Sequence, residues 1–295
     1  MIYDYIIAGS GIAGSICAYE LSKLNKSCLI IEKDPHRLEK MCGGGVPHKA
    51  IELLQNIGIS IDELLKEDIC IIDGCTMFYK DELQIYDYDS KSFAVGTTRY
   101  IFDEFLLKQS LNQGAIIKYN EKVESITKEN NLYIVNNYKA HNFVSAVGAR
   151  GIGNKIPKGQ SVGISAHIIG QSSLSSDRFY YWYYSGSKDK YFWLFPIGKD
   201  LWNVGVWFKN PDGSMKQDFY YGIKNIVAPY FKNGYNYKIP PKGEFLGNVD
   251  QRNLNNKFYD GIGDFAGTNN IKNGGGIIYA IESAIEYVSK IKQSE

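Results

Sequence analysis

Two glycine clusters at opposite ends of the chain have the spacing of a nucleotide site. The first, Gly9-Ser10-Gly11-Ile12-Ala13-Gly14, is a complete G-x-G-x-x-G. In such a loop the first glycine permits a tight turn and the second lets a diphosphate approach the backbone. The third lets the following helix pack on the sheet. The helix N-terminus adds free N–H groups and partial positive charge. Glu32 follows 18 residues after Gly14; a carboxylate there can accept from both hydroxyls of a ribose and disfavours a 2′-phosphate. The second cluster is Gly263-Asp264-Phe265-Ala266-Gly267, followed by Asn273-Gly274-Gly275-Gly276 opening a last helix. A carboxylate at a strand end can bind the ribityl hydroxyls of a flavin, which a nicotinamide nucleotide lacks. Bare glycines at a helix start let backbone touch an isoalloxazine edge, and the helix dipole there stabilises a reduced, anionic flavin. Together the two ends point to FAD.

The elements that would position these residues follow from hydrophobic periodicity. Residues 3–8 and 27–31 read as short buried strands around an amphipathic helix from about Ile12 to Leu24, a βαβ unit and hence a parallel sheet. Pro35 and Gly43-Gly44-Gly45 mark a loop, and Pro47 suits the first turn of a helix reaching about Asn56. The pattern is strand-like over 69–88 and 93–98, helical over 100–113, then strand-like near 115–119, 121–127, 132–137 and 142–147. From 160 to 208 the chain is β-rich and aromatic with hairpin turns. Residues 214–231 read as helical, 258–262 as a short strand, and 276–291 as a helix. In that last helix Ile277, Ile281, Ala284, Ile285, Val288 and Ile291 keep the 3.6-residue period.

Composition bounds the answer. The chain has 295 residues, 33 Lys+Arg against 32 Asp+Glu, and a net charge of +1, so no basic face argues for nucleic acid. With 44% apolar and 14% aromatic residues it can build a sizeable core, and its length suggests two domains. Five Cys without a C-x-x-C pair argue against a disulfide framework or a zinc site, so no metal is expected and a reducing, cytoplasmic compartment is. The first apolar run is interrupted by Asp4, so no secretory leader is expected. No stretch approaches the ~20 apolar residues that span a bilayer; peripheral membrane contact stays open.

The chain resembles the geranylgeranyl reductase family of FAD-dependent oxidoreductases, within the larger group sharing the aromatic-hydroxylase fold. Four islands carry the resemblance: Gly9–Gly14 with Glu32-Lys33; Cys42-Gly43-Gly44-Gly45; Tyr191-Phe192-Trp193-Leu194-Phe195-Pro196 with Asn203-Val204-Gly205-Val206; and Gly263-Asp264 with Gly274–Ile277. Arg99-Tyr100-Ile101-Phe102-Asp103 also matches the family's R-x-x-F-D helix start. The resemblance implies an α/β, mixed α+β architecture. A Rossmann-like FAD-binding domain with a parallel sheet would comprise 1–67, 94–155 and 256–295. An antiparallel β-sheet substrate domain would comprise 68–93 and 156–255. It implies a flavoprotein oxidoreductase that reduces carbon–carbon double bonds of a prenyl lipid or other apolar substrate. Electrons would come from a nicotinamide nucleotide or a ferredoxin. The cofactor contacts expected are Gly9, Gly11, Ile12, Ala13, Gly14, Glu32, Lys33, Cys42, Gly43, Gly44, Arg99, Val123, Ala146, Gly148, Gly263, Asp264, Gly274, Gly275, Gly276 and Ile277. The family's usual A-D-G reads Ala146-Val147-Gly148 here, a departure at the adenosine end.

The expected chemistry centres on Cys42, Tyr191 and Trp193. Reducing an alkene needs a hydride on one carbon and a proton on the other. An ordinary thiol, with a pKa of about 8.5, is protonated near neutrality and can give that proton. Cys42 is the candidate, in a loop free of bulk beside the isoalloxazine; a packing role is the bland reading. Tyr191, Trp193 and Phe195 would wall an apolar pocket. Arg99 could pair bidentately with the diphosphate, Arg150 less readily, and His48 reads as structural rather than a proton relay. Asp103 reads as a helix-surface acid, and Cys17 and Cys28 as core. The run 180–184 should alternate, half of its side chains toward the pocket or core and half toward solvent. The competing functions are an FAD-dependent aromatic monooxygenase and a non-catalytic flavoprotein electron carrier.

Overall fold

The computed structural model describes residues 1–34, 39–79, 82–149, 161–183, 189–246, 258–268 and 275–294. Pro35, Arg150, Tyr184, Asn273 and Gly274, singled out above, lie outside the described residues. Within them the chain forms three sheets and five α-helices.

The first sheet grows around β1 (Ile2–Ala8), whose Ile6, Ile7 and Ala8 are fully buried. It pairs in parallel with β2 (Cys28–Ile31) on one side, and β2 with β8 (Ile116–Lys118). On the other side β1 pairs in parallel with β11 (Tyr138–Ser145), which also takes the short parallel strand β17 (Asp260–Gly261). β9 (Ile126–Glu129) and β10 (Leu132–Val135) complete an antiparallel meander with β11. This is the βαβ-based parallel sheet anticipated from the sequence, joined at its C-terminal edge by the strand that leads into Gly263.

Helix α1 (Ile12–Lys23) was expected to be amphipathic but is buried from Ile12 to Ser22. Beyond the sheet it packs against α3 (Arg99–Asn112) and α5 (Ile277–Lys292), so both faces are covered. Its small residues Ala13, Gly14, Ser15 and Ala18 permit that closeness. Glu20, buried within it, is held by Lys23 at 2.9 Å and Lys292 at 3.1 Å, as buried carboxylates require.

The second sheet runs β16 (Asn236–Leu246), β12 (Ser161–Ile169), β15 (Leu201–Phe208), β14 (Lys190–Gly198), β13 (Arg178–Tyr183), β5 (Gly74–Tyr79), β6 (Glu82–Asp87). It is antiparallel except at β13–β5, which is parallel. That one departure from an all-antiparallel sheet arises because the chain leaves after β6 to build α3 and the first sheet, then returns alongside β5. Alternation along β13 and β14 sorts the aromatics onto two faces, but the face expected to meet solvent is covered by the helical segment 214–231. Tyr180, Phe192 and Leu194 pack with Phe219 of α4 (Met215–Gly222) and with Ile223, Val227 and Phe231 beyond it. Phe179, Trp193, Phe195 and Ile197 form the opposite face with Tyr181 and Tyr191. Residues 214–231 are helical as anticipated, though only their first part is α-helix; a π turn and a 3₁₀ turn follow.

A small third sheet, β3 (Gly45–Val46), β7 (Ala94–Gly96) and β4 (Cys70–Ile72), sits between the two large ones. It carries the Cys42 loop and the start of α3 to the aromatic face.

Candidate active site

The two glycine clusters meet. Gly9 has φ +97°, and a Cβ there would stand 2.7 Å from the Ala146 carbonyl oxygen; a side chain on Gly14 would run into the Gly9 carbonyl. Both are therefore bare because the β1–α1 turn is tightly packed. Gly11 is different: it caps α1 in an ordinary backbone conformation, and a Cβ there would meet nothing within 4 Å. The space over the helix N-terminus is open at the position expected to face a diphosphate. Glu32, at the end of β2, accepts from the Ser10 N–H at 2.9 Å and the Ser10 hydroxyl at 2.8 Å, and from the Asp34 N–H at 3.1 Å. From the other end of the chain, Gly263 (φ +61°) comes so near that its Cβ would stand 2.9 Å from the Ala13 methyl. Its N–H donates to Ser283 Oγ of α5 at 2.9 Å. Asp264 follows, with Lys40 Nζ 3.9 Å away. Gly275, Gly276 and Ile277 lie at the start of α5, which packs on α1.

These residues fit a dinucleotide: an open backbone cradle at a helix N-terminus, a carboxylate just beyond each of β2 and β17, and the two glycine-rich segments in contact at Gly263 and Ala13. Gly148 has φ +79° and open space beside it. Val123 is buried with Ile6, Leu29 and Ile31, so its side chain serves the core. Lys33 is exposed.

The Cys42 loop lies against the aromatic face. A Cβ on Gly43 would stand 3.0 Å from the Phe195 ring and 3.5 Å from Trp193 Nε1, and one on Gly45 would stand 3.1 Å from the Phe179 ring. Gly44 (φ +75°) is pressed onto the Thr97 carbonyl. Trp193 brings the benzo edge of its indole against Gly205, where any side chain would displace it. Ring centroids step along the face from Phe179 to Phe195 (4.4 Å), Phe195 to Tyr181 (5.0 Å), and Tyr191 to Trp207 (5.5 Å) and Trp193 (6.0 Å). Burial, then Tyr183 and Cys42, push the Tyr191 phenol above its ordinary range, so it stays protonated at neutral pH.

Arg99 is buried, and its guanidinium donates to both oxygens of Asp103 one turn on, at 2.7 and 2.8 Å. Asp103 is therefore not the surface acid expected of it: at 7% exposure it is the buried partner of a bidentate pair. Burial works against the Arg99 charge, but the Asp103 carboxylate and the neighbouring Cys42 thiol outweigh it and hold its pKa above the usual value. The arginine expected at the diphosphate is bonded to Asp103, with Cys42 near enough to act on its charge. An arginine at a helix start opposes the dipole, and Glu39 answers it. Its two oxygens accept from the Arg99 and Tyr100 backbone N–H groups, each at 2.9 Å. Burial raises the pKa of Glu39. His167, 2% exposed, faces it with Nε2 4.0 Å from Oε1. Burial, then Lys238, push His167 down to about 4, so the ring is neutral. His48 is taken up elsewhere, with Nδ1 at the Phe93 backbone and Nε2 3.5 Å from Glu52. All five cysteines are free thiols, with Cys17 and Cys28 in the core as read from the sequence.

Sequence reasoning gave no role to Glu39, His167 or Asn203. The first sits in a charged stretch that offers no signal. Asn203 is the one polar residue of an otherwise apolar strand, a pattern that marks it, whereas His167 shares its strand with Ser161 and Ser165.

A Rossmann-like nucleotide domain joined to a sheet with one aromatic face defines the architecture of FAD-dependent oxidoreductases and halogenases. Residues 7–37 match the NAD(P)-binding Rossmann-like domain family. Over 99% of its length the chain superposes on a geranylgeranyl bacteriochlorophyll reductase-like protein from Thermoplasma acidophilum (TM-score 0.79, 19% identity, 78% of that chain). It superposes equally well on the flavin-dependent brominase Bmp2 (TM-score 0.80, 19% identity, 100% of this chain and 79% of that chain). In sequence it is 25% identical to digeranylgeranylglycerophospholipid reductase 1 of Methanococcoides burtonii, over 99% of this chain and 77% of that protein. It is 23% identical to digeranylgeranylglycerophospholipid reductase 3 of Methanosphaera stadtmanae, over 96% and 75%. The solved structures share the fold of this chain, and its similarity in sequence to the digeranylgeranylglycerophospholipid reductases extends over nearly its whole length.

Proposed function

We propose that the protein is an FAD-dependent reductase of isolated carbon–carbon double bonds in a prenyl or similar apolar substrate. The observation that carries this reading is the Cys42 loop packed against the Tyr191–Trp193–Phe195 face, with Arg99 against the thiol. Residues 1–67, 94–155 and 256–295 would hold the cofactor, through Gly11 and Glu32 at one end and Gly263, Asp264 and the α5 start at the other. Residues 68–93 and 156–255 would form the substrate side. When bound, reduced flavin supplies the hydride. The aromatic face excludes water and holds an apolar chain by contact alone. The Cys42 S–H bond breaks and its proton goes to the second alkene carbon, leaving a thiolate beside the Arg99 guanidinium. A fixed positive charge at the sulfur that gains negative charge lowers the barrier to that transfer. A nicotinamide nucleotide or a ferredoxin would restore the reduced flavin. Among the described residues no helix is long and apolar enough to cross a membrane; the lipid nature of such substrates supports peripheral contact with one.

The test is anaerobic. The purified protein should carry a yellow chromophore; after chemical reduction, prenyl alkenes should reoxidise it and emerge saturated. Cys42→Ser should slow that step by roughly 10²-fold or more, the usual contribution of a positioned acid. Reoxidation only by oxygen, with a hydroxylated or halogenated product, would move the protein to the chemistry of its other structural neighbours.

A further inference from the structure

Asn203 is completely buried in β15, and its neighbours in that strand, Leu201 to Phe208, are apolar or glycine. A carboxamide there is costly unless both its ends are bonded. Both are. Oδ1 accepts from Trp193 Nε1 at 2.7 Å, and Nδ2 donates to the Cys42 carbonyl at 2.5 Å, joining positions 161 residues apart. The orientation is dictated by the partners, since an indole N–H only donates and a carbonyl only accepts. Its register neighbours are Phe195 on β14 and His167 on β12. Phe195 touches Gly43 and His167 faces Glu39. Three adjacent strands thus address one short segment, and Asn203 bonds the residue that bears the thiol.

We propose that Asn203 is a positioning residue: its carboxamide fixes the Cys42 thiol relative to the Trp193 ring, and so fixes which face of a bound alkene receives the proton. This rests on the reading of Cys42 as proton donor. Leucine at 203 would keep the branched shape, with somewhat more bulk, and lose both bonds. Aspartate makes a sharper probe. As a neutral acid it can accept from Trp193 and donate to Cys42; ionised, it turns an oxygen lone pair on the Cys42 carbonyl.

The test is peptide-resolved alkylation of Cys42 by iodoacetamide in the FAD-loaded full chain, with Cys70 and Cys75 as internal references. Asn203→Leu should alkylate at Cys42 about fivefold faster than the parent, the loosening that one lost hydrogen bond allows, with the reference thiols unchanged. Asn203→Asp should match the parent at low pH and exceed it increasingly as pH rises and the new carboxyl ionises. A side chain that only fills space would give a variant-to-parent ratio independent of pH. Should the leucine variant not fold, Trp193→Phe, which keeps a ring but loses the N–H, takes its place with the same expected direction. Parent rates in these variants, or a flat ratio for the aspartate, overturn the proposal. Alkylation needs no alkene. A responsive Cys42 in a protein that reduces no alkene leaves the positioning role and removes the prenyl reading; alkene reduction with an unresponsive Cys42 does the reverse.

Discussion

Removing the Asp103 charge tests how the Cys42 corner is held. Arg99 and Asp103 have side chains only 8% and 10% exposed, and two charge-assisted bonds of 2.7 and 2.8 Å join them. Asp103→Asn keeps the shape but removes the charge and places an N–H₂ group against a guanidinium that itself only donates. The Arg99 charge is then left in the interior. Breaking a buried pair from one side costs ~3–5 kcal/mol. Glu39, close enough to feel the Arg99 charge, offsets part of this, so a loss of about 3 kcal/mol is expected, at the low end of that range. Arg99→Met combined with Asp103→Leu takes out both charges together and should cost less than Asp103→Asn alone, because no uncompensated ion remains. Urea unfolding of the FAD-free chain measures both, and the single variants Arg99→Met and Asp103→Leu complete a double-mutant cycle. A loss below about 1 kcal/mol for Asp103→Asn, the size of an exposed pair, would show that the pair is not buried as described. So would a double variant whose cost is the sum of the single ones.

Other expectations follow from the same geometry. Gly11→Ala should leave the stability of the apo chain unchanged but weaken FAD binding about tenfold or more, since its methyl enters open space at the helix N-terminus; isothermal titration reads one and thermal unfolding the other. Gly14→Ala should instead destabilise the apo fold by ~1–3 kcal/mol, the cost of overpacking, because its methyl meets the Gly9 carbonyl. Gly205→Ala should displace the Trp193 indole packed against it, lowering the turnover of any alkene substrate more than the apo stability. His167 is pushed from 6.5 down to about 4 by burial, so the unfolded chain takes up its proton first. Its contribution should be complete above pH 6.5, fall as the pH drops toward about 4, and amount to roughly 3 kcal/mol. His167→Gln should flatten that part of the pH–stability curve.

The parts of this fold that depend on neighbours in sequence could be read from it. Gly9, Gly11 and Gly14 occupy a turn whose strand and helix are contiguous with it, and apolar period alone located both. The alternation of 179–183 and 191–195 likewise assigned the aromatics to two faces, because a strand's two-residue repeat leaves no other choice. What period cannot convey is which distant segment covers a face. Helix α1 reads as amphipathic, yet α3 and α5 enclose it. Asp103 reads as a surface acid on a helix of mixed character, yet it is buried as the partner of Arg99 on a helix that packs against α1. The parallel β13–β5 pairing joins strands about a hundred residues apart, and nothing local specifies its direction. Glu39 caps a helix sixty residues downstream, a contact that its own surroundings do not announce.

The Cys42 loop shows why these distant contacts matter to chemistry. A run of three glycines has more backbone freedom than any other sequence and cannot hold a thiol in place by itself. Here each position is fixed from outside: Gly43 by the Phe195 ring, Gly44 by the Thr97 carbonyl and Ile197, Gly45 by Phe179, and Cys42 by Asn203 and Arg99. Phe195, Phe179 and Asn203 belong to the sheet that would wall the substrate; Thr97 and Arg99 belong to the segment that starts α3. The thiol proposed as the acid and the face proposed as the pocket wall are therefore one packed unit. A substitution that reshapes the aromatic face to admit a different chain must also shift the thiol, because no flexible element stands between them. Substrate preference and proton delivery in this protein should change together, and variants selected for a new substrate should carry compensating changes at or next to positions 43–45 or 203.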